Sequence, residues 1–141
     1  WALRPQALAQ RSLIDALRDG VSALTQPAGL AARFDIDSNL PALSADLEND
    51  LLRIGLEAVT NAIKYAQAHT ISIGLRAVSG GLTLRVADDG RGFTPDTRQD
   101  RGGFGLIGMR ERARRHGGAV EIESGPTGAA VIVTIPVAEK G

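Results

Sequence analysis

The sequence has no cysteine. That removes disulfide frameworks, thiolate metal sites and cysteine nucleophiles, and it fits a reducing compartment. Net charge is also missing, since sixteen Lys and Arg balance sixteen Asp and Glu. No overall electrostatic footprint for nucleic acid or an anionic membrane exists, so any anion site has to be local. No window approaches the roughly 18 continuous apolar residues of a spanning helix. The opening Trp1-Ala-Leu-Arg-Pro5 lacks the layout of a signal peptide, so nothing in the sequence is expected to span or target a membrane. A hydrophobic content of 43% over 141 residues is nevertheless that of one folded domain, large enough to bury roughly two-thirds of its unfolded surface. The residue in excess is glycine, 17 in all, about 12% against a usual ~7%.

Hydrophobic spacing divides the chain into alternating elements. Leu8, Leu13, Ile14, Leu17, Val21 and Leu24 recur at three and four and predict an amphipathic helix over 7–25, ended by Pro27 and Gly29. A strand over 30–36 and a turn over 37–41 follow. Ser44 or Asp46 then opens a long helix over about 44–67, whose core stripe is read as Leu52, Leu56, Val59 and Ile63. Ile71, Ile73 and Leu75, then Ser79-Gly80-Gly81, then Leu82, Leu84 and Val86 predict a β-hairpin with one buried face. Residues 94–102 hold no hydrophobic side chain and predict an exposed loop. A helix over 106–116 stops at Gly117-Gly118, and strands over 119–123 and 129–135 close the chain. The expected architecture is an α+β two-layer sandwich: a mixed, mostly antiparallel sheet of about five strands with three helices on one face.

Three constellations carry possible chemistry. Glu57 and Asn61 lie one turn apart on the long helix, with Lys64 and Tyr65 a turn further, on a face the wheel places opposite the assigned stripe. A solvated polar pair explains this, but so does a hard-cation and base pair, because an amide oxygen suits Mg²⁺ and a carboxylate one turn away can orient a nucleophile. Asp88-Asp-Gly90-Arg-Gly92 ends a hairpin strand. It is either an Asp-Gly turn or a site where the backbone comes close to a ligand and Asp88 accepts from an exocyclic amine. Gly102-Gly103-Phe-Gly105-Leu-Ile-Gly108-Met109 runs from the polar loop into a helix, as a flexible loop or as a phosphate cradle of freed backbone N–H groups. Gly103, Gly105 and Gly108 with Glu123 also imitate a dinucleotide-binding fingerprint. Nine polar residues separate Phe93 from Gly103, and the flanking strands form a hairpin where that fold needs parallel strands.

In order, Glu57-x-x-x-Asn61, Asp88-x-Gly90-x-Gly92 and Gly103-x-Gly105-Leu-x-Gly108-Met resemble the N, G1 and G2 boxes of histidine-kinase ATP-binding domains. Their wider family includes gyrase, mismatch-repair ATPases and a heat-shock chaperone, and its fold is the Bergerat ATP-binding fold. Gly105-Leu-Ile-Gly-Met-Arg-Glu-Arg112 is similar to the sensor kinases whose response regulators carry a helix-turn-helix output domain of the NarL/LuxR type. Leu3-Arg-Pro5 is similar to the segment leaving that group's dimerisation helices, with residues 1–6 as the end of a linker and 7–141 as the catalytic domain.

The resemblance implies ATP and Mg²⁺ as cofactors. Asn61 would ligate the metal and Glu57 would polarise the attacking group, with Lys64 and Tyr65 near the phosphates and nucleotide. Asp88 would take the adenine amine, Gly90 and Gly92 would make room, and Phe93 would adjoin them. Gly103, Gly105, Leu106, Gly108 and Met109 would border the triphosphate, with 94–102 as the ATP lid. The family usually has Thr at the start of the last strand, where this chain has Ala129, a difference of one hydrogen bond, ~1 kcal/mol. Neither His69 nor His116 lies in a dimerisation helix, and His116 is expected to serve as a C-terminal dipole or capping partner. The phosphoacceptor histidine would therefore belong to a separate dimerisation domain. The implied protein is cytoplasmic or the cytoplasmic part of a membrane-anchored sensor, with no nucleic-acid or direct membrane contact; the domain is monomeric alone and the intact kinase a homodimer. An anti-sigma-factor type serine kinase of the same fold is the alternative, and Leu3-Arg-Pro5 speaks against it.

Overall fold

The computed structural model describes residues 5–91 and 105–137, with side chains described from residue 13 onward. The elements run α1 (Pro5–Ala28), β1 (Ala31–Ile36), α2 (Ala45–Tyr65), β2 (Thr70–Val78), β3 (Gly81–Asp88), α3 (Leu106–Arg114), β4 (Ala119–Gly125) and β5 (Gly128–Pro136). The first helix is longer than its spacing suggests. Pro27 sits inside its last turn, and the stop comes at Gly29, whose φ of +76° is open to glycine at no steric cost. Gly29 N–H donates to Gln26 O at 3.1 Å and Leu30 N–H to Thr25 O at 3.0 Å, which closes the helix as a Schellman motif.

The sheet order is β1-β2-β3-β5-β4. β1 and β2 are parallel because α2 crosses between them, and every other neighbouring pair is antiparallel. One face of this sheet buries Ile71, Ile73 and Leu75 of β2, Leu82, Leu84 and Val86 of β3, and Val131, Val133 and Ile135 of β5. All three helices pack on that face, α1 against β1, α2 against β3, and α3 against β4 and β5. The two-layer α+β sandwich is as expected. The dinucleotide-binding alternative fails here, because β3, β5 and β4 are antiparallel and Glu123 is exposed, paired across the ladder with Ala130.

The core stripe of α2 needs correction. Leu47, Leu51, Ile54, Ala58 and Ala62 are its buried apolar side chains, with Val59, while Leu52, Leu56 and Ile63 are half-buried. At about 100° per residue the two sets are neighbouring faces. Leu47 to Ala62 belongs to the sheet side, and Leu56 lies against α1, where a side chain at Gly20 would crowd its Cδ2 at 2.8 Å. The helix is therefore buried on two sides. Ser44 caps its start, with its hydroxyl accepting from Leu47 N–H at 3.1 Å.

Candidate functional site

With the sheet-facing stripe moved, the face carrying Glu57 and Asn61 is no longer opposite the core. It flanks it. Asn61 is only 3% exposed and Glu57 is half-buried, whereas Lys64 remains exposed and Tyr65 half-buried at the helix C-terminus. An asparagine does not stay buried at the edge of an apolar stripe unless its amide has partners, so the solvated-face reading is excluded for Asn61.

Gly105 stands directly against Glu57. Its φ is +63°, and a Cβ there would collide with the Glu57 carboxylate. Gly105 also serves as the N-terminal flank of α3, whose Met109 N–H donates to Gly105 O at 3.1 Å. The N-terminus of α3 is thus brought onto the Glu57 and Asn61 side of α2, and it supplies backbone donors and the positive end of a helix dipole there. Leu106 and Met109 are fully buried in the core. Their side chains anchor α3, so any contact they make with a ligand at this edge is through the backbone. Gly108 is half-buried on the same turn.

Asp88 occupies the fourth inward position of β3, after Leu82, Leu84 and Val86, and faces Ile71 on one side and Ala129 on the other. A carboxylate therefore closes an otherwise hydrophobic row. Burial pushes its pKa upward, opposed by the backbone N–H groups of Gly90 and Ala129. The Gly90 N–H reaches Oδ1 at 2.9 Å. Asp89, beside it, points the other way. Its Oδ1 accepts from Thr70 N–H at 2.9 Å and His69 N–H at 2.8 Å, and these bonds hold its pKa below the usual range. The pair divides its labour: Asp89 fastens the start of β2, which leaves Asp88 for other partners. Gly90 is buried against the end of α2, where a Cβ would collide with Ala66 O, and Arg91 N–H donates to that same carbonyl at 2.8 Å. The close approach at Gly90 is between strand end and helix end, and it fixes Asp88 relative to Asn61.

Gly92, Phe93 and Gly103, together with the expected lid at 94–102, lie outside the described residues. A hollow of about 310 Å³ reaches the backbone end of β3 at Asp88 and Ala129, but Arg85, Ala87 and Glu123 line it as well, so it opens on the outer face of the sheet, away from Asn61. A separate hollow of about 450 Å³ on the outer sheet face, lined by Arg33, Gly74 and Arg85, contains none of the candidate residues.

One constellation was not legible in the sequence. Asp50, one of the few buried carboxylates, receives Arg115 Nη2 at 2.8 Å and His116 Nε2 at 2.7 Å, with Arg112 Nε at 4.0 Å. His116, just past the C-terminus of α3, thus ties that end of the helix to α2 across 66 residues of sequence, while its backbone N–H donates to Ala113 O at 3.0 Å in the helix's last turn. No signal in the sequence pairs these positions. Among the described residues no group of three or more acidic or histidine side chains could hold a metal ion.

Residues 46–139 match the family of histidine kinase-, DNA gyrase B- and HSP90-like ATPases. The chain belongs to that family. It is 33% identical over 113 residues to the sensor histidine kinase LnrJ of Bacillus subtilis (strain 168), covering 80% of this chain and 27% of LnrJ. It therefore spans about a quarter of that relative's length. The histidine kinase AdeS of Acinetobacter baumannii has the same fold, with a TM-score of 0.75 at 16% identity over 92% of this chain and 65% of AdeS. Full-length ShkA, solved in complex with AMPPNP, superposes with a TM-score of 0.70 at 29% identity over 89% of this chain and 30% of ShkA.

Proposed function

We propose that this chain is the ATP-binding catalytic domain of a sensor histidine kinase, which binds Mg·ATP and passes the γ-phosphoryl group to a histidine on a separate dimerisation domain. The observation that carries the reading is the convergence of Asn61, Glu57 and Gly105 on one edge of α2, with Asp88 at the end of the inward row of β3. Family membership and the AMPPNP held by ShkA support ATP as the ligand. Adenine would donate its exocyclic amine to Asp88, and the triphosphate would run toward the N-terminus of α3 at Gly105, where backbone N–H groups suit an anion. Lys64 and Tyr65 would flank the phosphates, as would the residues on either side of the segment 92–104.

The donor set fits Mg²⁺ bound in the way substrate phosphates usually bind it, with one protein ligand, the Asn61 amide oxygen, and the remainder from phosphate and water. The metal when bound supplies charge neutralisation on the phosphates. Glu57 would accept a hydrogen bond from the incoming imidazole and take its proton as the N–P bond forms. The P–O bond to the β-phosphate breaks at the same time, and its electron pair leaves with ADP. Little covalent work falls to the protein, so the site acts mainly by positioning.

The finer parts of the reading belong to the intact protein: residues 1–6 as linker and 7–141 as the catalytic unit, 94–102 as lid, homodimerisation through the phosphoacceptor domain, and a response regulator of the helix-turn-helix type. No helix among the described residues is long and apolar enough to cross a membrane, in keeping with a cytoplasmic catalytic part. The test is phosphorylation from γ-labelled ATP in the presence of a histidine-bearing dimerisation domain. Acid-labile, base-stable phosphoprotein is expected. Acid-stable phosphoserine would replace the reading with the serine-kinase alternative, and thermal stabilisation by NAD but not ATP would overturn it.

A further inference from the structure

Gly74 is a glycine that the fold does not require. It lies inside β2 on the outward row, paired with Asp35 of β1 and Arg85 of β3. Its φ is not in the left-handed region, and a Cβ there would meet Asp35 O at 3.8 Å and Arg85 Cβ at 3.9 Å, which is ordinary contact. A side chain would be accommodated, and a β-branched one would favour the strand. Glycine inside a strand weakens it and marks a place where something else comes close to the backbone. Here it provides a floor, since the outer-face hollow of about 450 Å³ lies over it.

The donors around that floor lack acceptors. Arg33 of β1 and Arg85 of β3 stand on either side of β2, and both are exposed. Among the described residues neither forms an ion pair, and no hydrogen bond occupies the hydroxyls of Ser72 and Thr83 in the same hollow. Arg76 differs, because Asp35 pairs with it. β1 and β3 are two strand spacings apart, about 9.6 Å, a gap across which two arginine side chains can reach one ligand. The acids of the outer face, Glu121 and Glu123, lie on β4 at the far edge of the sheet. Positive potential is therefore concentrated on the β1–β3 half, although the chain as a whole is neutral.

We propose that this hollow is a second ligand site, which takes a phosphate dianion, free or as the monoester of a small molecule, between Arg33 and Arg85. Guanidinium groups match phosphate oxygens in pairs, and the Ser72 and Thr83 hydroxyls donate to the same group from the floor. The volume is within the roughly 300–1,000 Å³ of small-molecule sites, so an organic part can lie over Gly74. The site is independent of the kinase reading. It lies on the face of the sheet opposite the helices and shares no residue with Asn61, Glu57, Gly105 or Asp88.

The test follows the backbone amide NMR shifts of the isotope-labelled whole chain as inorganic phosphate, glycerol 2-phosphate or acetate is added. Ionic strength is held constant because the site is exposed, and the pH is about 8, above the second phosphate pKa of about 6. Saturable shifts at Ser72, Gly74 and Thr83 are expected with both phosphates and not with acetate. Tighter binding of the ester would assign the rest of the hollow to an organic part, and equal binding would assign the site to free phosphate. Arg33→Ala and Arg85→Ala should each weaken binding about fivefold or more. Gly74→Val should abolish it and melt at or above the wild-type temperature, and Arg114→Ala, at an exposed arginine of α3, should leave it unchanged. No saturable shift, equal binding of acetate, unchanged affinity in both arginine variants, or shifts confined to the N-terminus of α3 would overturn the second site. A Gly74→Val chain that melts well below the wild type would overturn it as well, by giving the glycine to the strand. Mg·ATP affinity should be unchanged in Arg33→Ala, so failure of this site leaves the kinase reading standing.

Discussion

Replacing Asp88 with Asn tests the adenine assignment through two measurements that move in opposite directions. Asp88 is held at the end of a hydrophobic row, where burial raises its pKa. Between the ordinary value of 3.8 and the raised one, the folded chain binds more protons than the unfolded chain. Its carboxylate therefore costs the fold stability as pH rises through that window, and the cost is fully present at neutral pH. Asn carries no such penalty and can still accept one hydrogen bond from Gly90, so the ligand-free variant should melt at or above the wild-type temperature at pH 7.5.

Nucleotide binding should go the other way. A charge-assisted bond from an exocyclic amine contributes about 1.5–3 kcal/mol, so its loss corresponds to roughly 10–150-fold in Kd. With ATP at 100 times the wild-type Kd, ligand stabilisation is about 2.7 kcal/mol, and a 30-fold weaker Kd reduces it to about 0.9 kcal/mol. Calorimetric titration of Mg·ATP together with thermal melting with and without nucleotide gives both numbers. An affinity within about twofold of wild type would refute the adenine contact. A ligand-free variant that melts well below the wild type would show that Asp88 serves the fold through Gly90 and Ala129 instead.

Ala129→Thr places a hydroxyl beside Asp88 in the register position opposite it; one added hydrogen bond of ~1 kcal/mol should tighten Mg·ATP about fivefold by calorimetry. Asp50→Ala should lower stability by about 2–3 kcal/mol in urea denaturation, below the full cost of breaking a buried pair because Arg115 is 63% exposed and rehydrates. Arg115→Ala alone should cost under about 1 kcal/mol. Gly105→Ala should lose about 1–2 kcal/mol from the left-handed backbone and push the Glu57 carboxylate aside, so that phosphoryl transfer falls at least about tenfold while ATP affinity is kept. Asp89 has a depressed pKa, so its contribution is present above the ordinary value of 3.8 and is lost as pH falls through the lowered one. The melting-temperature gap between wild type and Asp89→Asn should be constant at neutral pH and close only under strong acid.

The strands were legible because alternation has one interpretation. Ile71, Ile73 and Leu75 opposite Val86 and Leu84 leave a single register with both rows buried. A helix wheel is weaker evidence when two faces are covered. Leu52, Leu56, Val59 and Ile63 form a true stripe, of which Val59 is fully buried and Leu56 lies against α1, and Leu47, Leu51, Ile54, Ala58 and Ala62 form a second, more deeply buried one beside it. Choosing the first as the only core sends Asn61 to solvent; admitting the second puts it at the buried edge.

The same limit explains the glycines. Sequence position showed that Gly90 and Gly105 sit where backbones come close, and it could not show to what. Gly90 makes room for Ala66 O and Gly105 for the Glu57 carboxylate, so both act by bringing protein parts together. Asp50 with His116 was beyond reach for a further reason, since neither residue lies in a motif and their contact depends on how α3 lies across α2. The two kinds of contact converge on one consequence. α3 is fixed to α2 at its C-terminal end by Asp50 and at its N-terminal end by Gly105 on Glu57.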